Sequence, residues 1–156
     1  MGPFPDIDRW LQDLRAYRRV ALDTNVVIYA LENVTPYREL AQHLLRLMER
    51  GFMIGSVSAI VEAEVMVKPL RDRDWVTLDK LELFFGSSPN LVVKSLDRTI
   101  AKRVALVRAN SRLALPDAII VATALEDRCE VLVGNDSAMT QQTLGLPYLH
   151  LNSYIS

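Results

Sequence analysis

Four acids in this 156-residue chain stand where carboxylates can do chemistry together. Asp23 ends the apolar run Val20-Ala21-Leu22, and Asp136 follows Val131-Leu132-Val133 across a Gly-Asn step. Glu64 lies in a helix-patterned stretch behind a second apolar run, and Asp117 opens another such stretch behind Pro116. Singly, each has an ordinary reading. Asp23 and Asp136 suit N-caps. Asp117 suits the dipole of a helix start, worth a few tenths of a kcal/mol to about 1 kcal/mol. Glu64 has Lys68 four residues on, the favourable order for a surface ion pair. Jointly they say more. Converging on one end of a sheet, carboxylates about 5 Å apart would repel by roughly 3 kcal/mol per pair at an effective dielectric constant of 20. Such a cluster implies raised pKa values or a bound cation. With no His or Cys nearby in sequence, oxygen-only ligation points to Mg²⁺ or Mn²⁺.

The elements that must position these acids follow from pattern. Ile7, Trp10, Leu11, Leu14 and Tyr17 recur at helical spacing, so residues 6–17 are expected to form an amphipathic helix with Trp10 on the core. Val20-Ala21-Leu22 is a strand entering a helix at Asp23-Thr24-Asn25. Thr35-Pro36 reads as an N-cap with proline at the first helical position, opening a helix that Gly51 ends. A second strand is expected over 52–55, and a helix from Ser56 to Lys68 that Pro69 stops. Further helices are expected around 75–85, from an Asp97 N-cap to about Ala109, and over 116–126. Strands are expected over 91–93 and 131–133, with a fifth at Tyr148-Leu149. Short apolar strands alternating with helices specify a parallel sheet covered on both faces, and sites in such sheets form at the carboxyl ends of strands. The expected fold class is α/β, a three-layer α/β/α arrangement with a central parallel sheet plus an extra N-terminal helix. Residues 1–18 form the helical extension and 19–156 the main domain.

Bulk composition narrows the function classes. Half of the residues are apolar, which supports one core in one domain. A lone cysteine, Cys129, excludes an internal disulfide framework and a thiolate zinc cluster. Eighteen Lys and Arg against nineteen Asp and Glu exclude a uniformly basic nucleic-acid coat, though not a local patch. The start lacks the basic and apolar regions of a secretory signal, and no apolar run approaches the ~18 residues needed to span a bilayer. A cytoplasmic protein with no membrane partner is expected.

The segments Val20-Ala-Leu-Asp-Thr-Asn-Val-Val-Ile28, Ser58-Ala-Ile-Val-Glu-Ala-Glu64-Val, Leu115-Pro-Asp-Ala-Ile-Ile-Val-Ala-Thr-Ala-Leu125 and Val131-Leu-Val-Gly-Asn-Asp136 occur in this order. Together they resemble the PIN-domain family, and within it the VapC-type toxins of toxin–antitoxin pairs. The resemblance runs from about Arg19 to the C-terminus. It implies a PIN-like nuclease fold and a Mg²⁺- or Mn²⁺-dependent endoribonuclease that cleaves phosphodiester bonds by metal-activated water. By position, Asp23, Glu64, Asp117 and Asp136 match the family's acidic quartet, as catalytic and metal-binding residues. Thr24, Asn25 and Asn135 match its supporting polar positions. Glu62 rivals Glu64, but two residues on a helix point about 200° apart, so only one faces the site, and the spacing from Ser58 favours Glu64. Where the family often carries Thr or Ser, this chain has Gly134, so that position supplies no hydroxyl. The resemblance further implies an RNA substrate, a cognate antitoxin and a homodimer.

RNA needs a docking surface. Arg98, Lys102, Arg103, Arg108 and Arg112 fall in a segment without acids. On a helical wheel Arg98, Lys102 and Arg108 share a face with Ala101, Ala105 and Ala109, opposite Ile100, Val104 and Val107. Either a solvated face or a phosphate-binding surface, to which Arg112 would add, accounts for this pattern. Arg71 and Arg73 are a smaller candidate. His43 and His150 read as packing or surface residues, Thr123 as bonded to its own helix, and Cys129 as a buried inert thiol. Two rival functions remain: a non-catalytic PIN-like scaffold binding RNA or protein, and an aspartyl-phosphate phosphatase. The second lacks its usual second acid, since Asn25 stands there.

Overall fold

The structure, a computed structural model, describes residues 2–156, so Met1 of the expected extension lies outside the described residues. Five strands form one parallel sheet: β1 (Arg19–Leu22), β2 (Ile54–Ser58), β3 (Leu91–Lys94), β4 (Val131–Gly134) and β5 (Tyr148–His150). Seven helices accompany them: α1 (Ile7–Leu14), α2 (Thr24–Leu31), α3 (Arg38–Glu49), α4 (Ala59–Asp72), α5 (Trp75–Ser87), α6 (Arg98–Ala109) and α7 (Leu115–Glu126). The strand order is β3-β2-β1-β4-β5. The chain therefore builds outward from β1 through β2 to β3, then returns to β1's other side for β4. Right-handed crossovers running in opposite directions place their helices on opposite faces. The α6–α7 pair covers one face, with α7 on β2 and β4, and α1 to α5 cover the other. This is the expected three-layer fold.

The reversal of direction sits between β1 and β4, which pair through Val20–Val131, Ala21–Leu132 and Leu22–Val133. These three pairs are buried, as the continuous apolar runs require. Beyond their carboxyl ends the two chains part into α2 and the loop after β4, leaving the crevice in which open α/β sheets bind ligands.

Other elements show how local signals were overridden. The second strand begins at Ile54 and runs to Ser58, not over 52–55, and α4 starts after it with the Ser58 hydroxyl accepting from the Ile60 amide at 3.2 Å. Residues 51 and 52 instead finish α3, their amides bonding Met48 O and Leu47 O, which leaves Phe52 exposed. Gly55 and Ser56 look like turn residues but are central in the sheet. A Cβ at Gly55 would press on the Met48 thioether of α3, so the glycine leaves room for that side chain against the sheet. Pro69 does not stop α4, which continues to Asp72 and ends on Arg73 in the left-handed region at φ 52°. Pro69 is buried, and its carbonyl accepts the Asp74 amide at 2.9 Å. Thr35 is not an N-cap either. A turn closed by Arg38 N on Val34 O comes first, and α3 starts at Arg38.

The N-terminal helix is shorter than 6–17 and covers the core as expected. Asp6 caps it through the Arg9 amide, and Trp10 is fully buried with its indole N–H on Leu40 O at 2.9 Å. The Trp10 ring meets Tyr154 edge-on at 4.8 Å, and the Tyr154 hydroxyl bonds Asp13. Beginning and end of the chain are thereby packed together, closed by a bridge between Pro5 and Ile155.

A carboxylate cluster at the switch point as the candidate active site

Asp23 follows β1 directly and caps α2, its Oδ1 accepting the Thr24 amide at 2.7 Å. Its own amide bonds Val133 O at 2.9 Å, which fixes it against the end of β4. The capping reading is thus correct, and it leaves Oδ2 free for other work. Asp136 caps the short 3-10 turn Ser137–Met139, accepting from the Ala138 amide at 2.9 Å. Asp117 stands in the first turn of α7 behind Pro116. Glu64 reaches in from the second turn of α4, where its Oε1 accepts the Thr24 hydroxyl at 3.0 Å. No ion pair joins Glu64 to Lys68 among the described residues, although both line the apolar groove formed by Val27, Ile28, Leu31 and Leu81.

The four acids feel one another. Asp23 is 5 % exposed, and its pKa is pushed up to about 6. Burial is the main cause, opposed by the Thr24 amide and reinforced by the charges of Asp117, Glu64 and Asp136. Asp117 is raised by burial first, then by Asp136 and Glu64. Glu62 has no part in this coupling. The choice of Glu64 over Glu62 agrees with the geometry.

The supporting residues separate into different jobs. Thr24 bridges two of the acids, with its amide on Asp23 and its hydroxyl on Glu64. Asn25 makes no side-chain hydrogen bond among the described residues. Asn135 is a strut: its Nδ2 donates to the Tyr29 hydroxyl at 3.0 Å and its Oδ1 accepts the Asn152 amide at 2.8 Å. Tyr29 stacks on Tyr37 at 4.8 Å, and the Tyr37 hydroxyl returns to Asn152 Oδ1 at 2.7 Å. This belt ties α2 to the loop after β4 and to the chain end.

Sequence reading missed Tyr148. Its hydroxyl accepts the Asp136 amide at 3.0 Å, and it stands at the end of β4 where Gly134 carries no side chain. Burial, foremost, and the nearby Asp23, Asp136 and Asp117 charges hold it far above the ordinary tyrosine pKa, so it is a neutral phenol. A hydroxyl therefore stands beside position 134, delivered from the neighbouring strand. A glycine beside an aromatic on the adjacent strand was the only signal available.

The donor set suits a hard cation held loosely. Oxygen is the only donor type, and the uncompensated charge calls for a positive partner. Among the described residues no three acidic, His or Cys groups stand close enough to hold one ion together; Mg²⁺ keeps several waters, so direct contact with one or two of these carboxylates and contact through water with the others would suffice.

The basic segment divides by position. Ile100, Val104 and Val107 of α6 are buried and Arg98, Lys102 and Arg108 exposed, as the helical wheel requires. Arg103 is committed to Glu126 at 3.1 Å. That pair and the short 110–114 connection make α6 and α7 antiparallel neighbours. Arg108 and Arg112 consequently lie at the Asp117 end, and the Arg112 amide bonds Gln142 in the segment that follows Asp136. Arg98 and Lys102 lie toward the opposite end. Arg71 and Arg73 are exposed at the end of α4. Cys129 is buried with its thiol pushed up to about 11 by desolvation, and Thr123 bonds Ile119 O at 2.7 Å, both as expected. No described helix is long and apolar enough to cross a membrane.

A doubly wound parallel α/β protein with four interacting carboxylates at its switch point is the class that fold and site define. Comparison makes the class specific: a PIN-domain family model matches residues 20–142, and the chain belongs to the PIN-domain family. Among solved structures it is similar to a toxin–antitoxin complex from Klebsiella pneumoniae, at 26 % identity and TM-score 0.59, over 83 % of this chain and 95 % of that one. VapBC2 from Rickettsia felis, bound to a DNA fragment from its promoter, is similar at 17 % identity and TM-score 0.68, over 85 % and 98 %. The sarcin–ricin-loop-cleaving toxin VapC20 of Mycobacterium tuberculosis is similar at 13 % identity and TM-score 0.65, over 84 % and 98 %. The last two show the shared fold. No curated protein sequence matches the chain significantly.

Proposed function

We propose that this protein is a Mg²⁺- or Mn²⁺-dependent endoribonuclease and the toxin of a toxin–antitoxin pair. One observation carries the reading: Asp23 and Asp117 are held above their ordinary pKa by burial and by the other acids of the quartet, at the switch point of a PIN-domain sheet. A fold retains such mutual repulsion where the cluster serves a ligand of opposite charge. Asp23, Glu64, Asp117 and Asp136 would hold the cation, with Thr24 and Asn135 keeping them in place. When bound, a divalent ion supplies charge neutralisation for the scissile phosphate and acidifies an attacking water.

The chain's own groups supply the rest. A quartet carboxylate left free by the ion would accept the proton of the attacking water. Arg108 and Arg112, exposed at the Asp117 end, would anchor the phosphate backbone of the RNA. The similarity to toxin–antitoxin complexes supports a cognate antitoxin as partner; a homodimer in the cytoplasm as the working form belongs to the same reading. Purified protein is expected to cleave RNA, in pools of tRNA, rRNA or mRNA, with Mg²⁺ or Mn²⁺ and to stop in excess EDTA. Undiminished cleavage in EDTA, or in the Asp117→Asn variant, would overturn the assignment.

A further inference from the structure

The hydroxyl of Tyr148 stands out because it reaches the carboxylate cluster from the wrong strand. Tyr148 begins β5 and pairs in register with Leu132, while Gly134 pairs with His150. The phenol therefore runs along the sheet for two residues, past the last residue of β4, to accept the Asp136 amide at 3.0 Å. It has room to do so only because residue 134 is glycine. A Cβ there would stand 2.5 Å from the phenol oxygen, 2.9 Å from Asp23 Oδ2 and 3.1 Å from Asp23 Cβ, all closer than ordinary contact. Gly134 has no positive φ to explain the choice, so close approach is its reason.

The phenol oxygen and Asp23 Oδ2 thus share the small volume above Gly134 that a side chain would otherwise fill. With the Asp136 amide as its donor, the oxygen is fixed between the backbone of one acid and the carboxylate of another. Asp136 has only one other restraint at its N-terminal side, the Asn135 strut, and its carboxylate is set by the Ala138 amide.

We propose that Tyr148 is a positioning residue for the metal-binding quartet, setting Asp136 through its hydroxyl, with Gly134 as the clearance that admits it. This rests on the metal-dependent reading of the site. Removing one group that orients metal ligands typically lowers metal affinity ten- to a hundredfold.

The test is Tyr148→Phe, which deletes one oxygen. Two measurements apply to protein without RNA: hydrogen exchange at the Asp136 amide, and Mn²⁺ affinity by calorimetry. Exchange is expected to accelerate at least tenfold, and Mn²⁺ affinity to fall about tenfold. In cleavage assays the half-saturating Mn²⁺ concentration should rise to match, with the rate at saturating Mn²⁺ within about twofold of the parent. Gly134→Ala pushes on the same oxygen from the other side and also on Asp23 Oδ2, and should lower Mn²⁺ affinity at least as much in a chain that keeps its tyrosine. Unchanged Mn²⁺ affinity in both variants overturns the proposal, whatever happens to exchange. A parent protein that binds Mn²⁺ and cleaves no RNA overturns the nuclease reading alone, because the affinity and exchange measurements still decide the role of Tyr148.

Discussion

Two aspartates at opposite ends of the sheet show what the same side chain does in two electrostatic settings. Asp23, at the carboxyl end of β1, is buried with acids as its charged neighbours, and its pKa climbs to about 6. Asp127, beside the amino end of β1, is 10 % exposed and also pays for burial, yet its pKa falls below the ordinary value. Desolvation works upward there too. The Arg19 guanidinium, bonded at 2.7 Å, and the Lys94 ammonium at 3.6 Å outweigh it. Asp127 finds its counter-charges within the fold, and Asp23 does not. A carboxylate neutralised by the protein is part of its structure; a cluster left charged is a place for something the protein binds.

Exchanging Asp for Asn at each end should therefore give opposite results. At the quartet, Asp117→Asn is expected to cut metal-dependent RNA cleavage by at least about 100-fold, because it removes a carboxylate that would hold the ion, and loss of a mere partner of a metal ligand already costs about 10- to 100-fold. The fold should remain, since circular dichroism and melting would register no loss. Equal cleavage by the variant would erase the distinction between the two ends.

Asp23→Asn isolates the charge, because an asparagine still caps α2. A folded-state pKa of about 6 against 3.8 means that the folded protein binds the extra proton. Stability from that proton is complete below about pH 3.8 and is lost as pH rises through 6. At about 1.4 kcal/mol per unit, the metal-free parent should lose about 3 kcal/mol relative to Asp23→Asn between about pH 3 and pH 7. Urea titrations of both proteins in EDTA measure this. Added Mg²⁺ should restore stability to the parent more than to the variant. A parent as stable as the variant at pH 7 would remove the repulsion from the argument.

At the other end, Asp127→Asn should lower stability by about 2 kcal/mol, less than for a fully buried pair because the Arg19 side chain is 29 % exposed. Its pH dependence has the opposite sign. A carboxylate lowered in the folded state stabilises above the ordinary value of 3.8, and that contribution disappears as pH falls through its folded pKa. Cleavage by the folded variant should be unchanged.

The difference between the ends was half legible in the sequence. Asp23 and Asp136 announced themselves because an apolar strand leads into each, and that pattern also specified the parallel sheet. Asp117 and Glu64 needed the ordered motifs. Asp127 and its partners went unread: Arg19, Lys94 and Asp127 lie on three separate elements, and no local period links them. The second strand was misplaced because Gly55, Ser56 and Ser58 carry turn chemistry while tertiary packing makes them central. Proline at 69 signalled an end that the last turns of α4 do not obey. Tyr148 was invisible for a related reason. Its contact with Asp136 spans twelve residues and depends on the side chain that Gly134 lacks.

The basic segment provides the smallest effect and a separate test of the end-to-end contrast. A helical wheel assigns Arg98, Lys102 and Arg108 to one face but says nothing of which end approaches the acids. Arg98 and Arg108 are ten residues apart, about 15 Å along α6. With α6 antiparallel to α7, Arg108 and Arg112 lie toward the Asp117 end, and Arg98 and Lys102 toward the end where Arg103 meets Glu126. If RNA lies across the quartet, each arginine near it that contacts a phosphate contributes a slope of about −0.7 to a plot of log affinity against log salt. Arg108→Gln with Arg112→Gln should then flatten that slope by about 1.4. Arg98→Gln with Lys102→Gln should leave it nearly unchanged. Equal flattening by both pairs would mean that RNA follows the whole length of α6, and that the acids and the bases of this nearly neutral chain are not segregated by end.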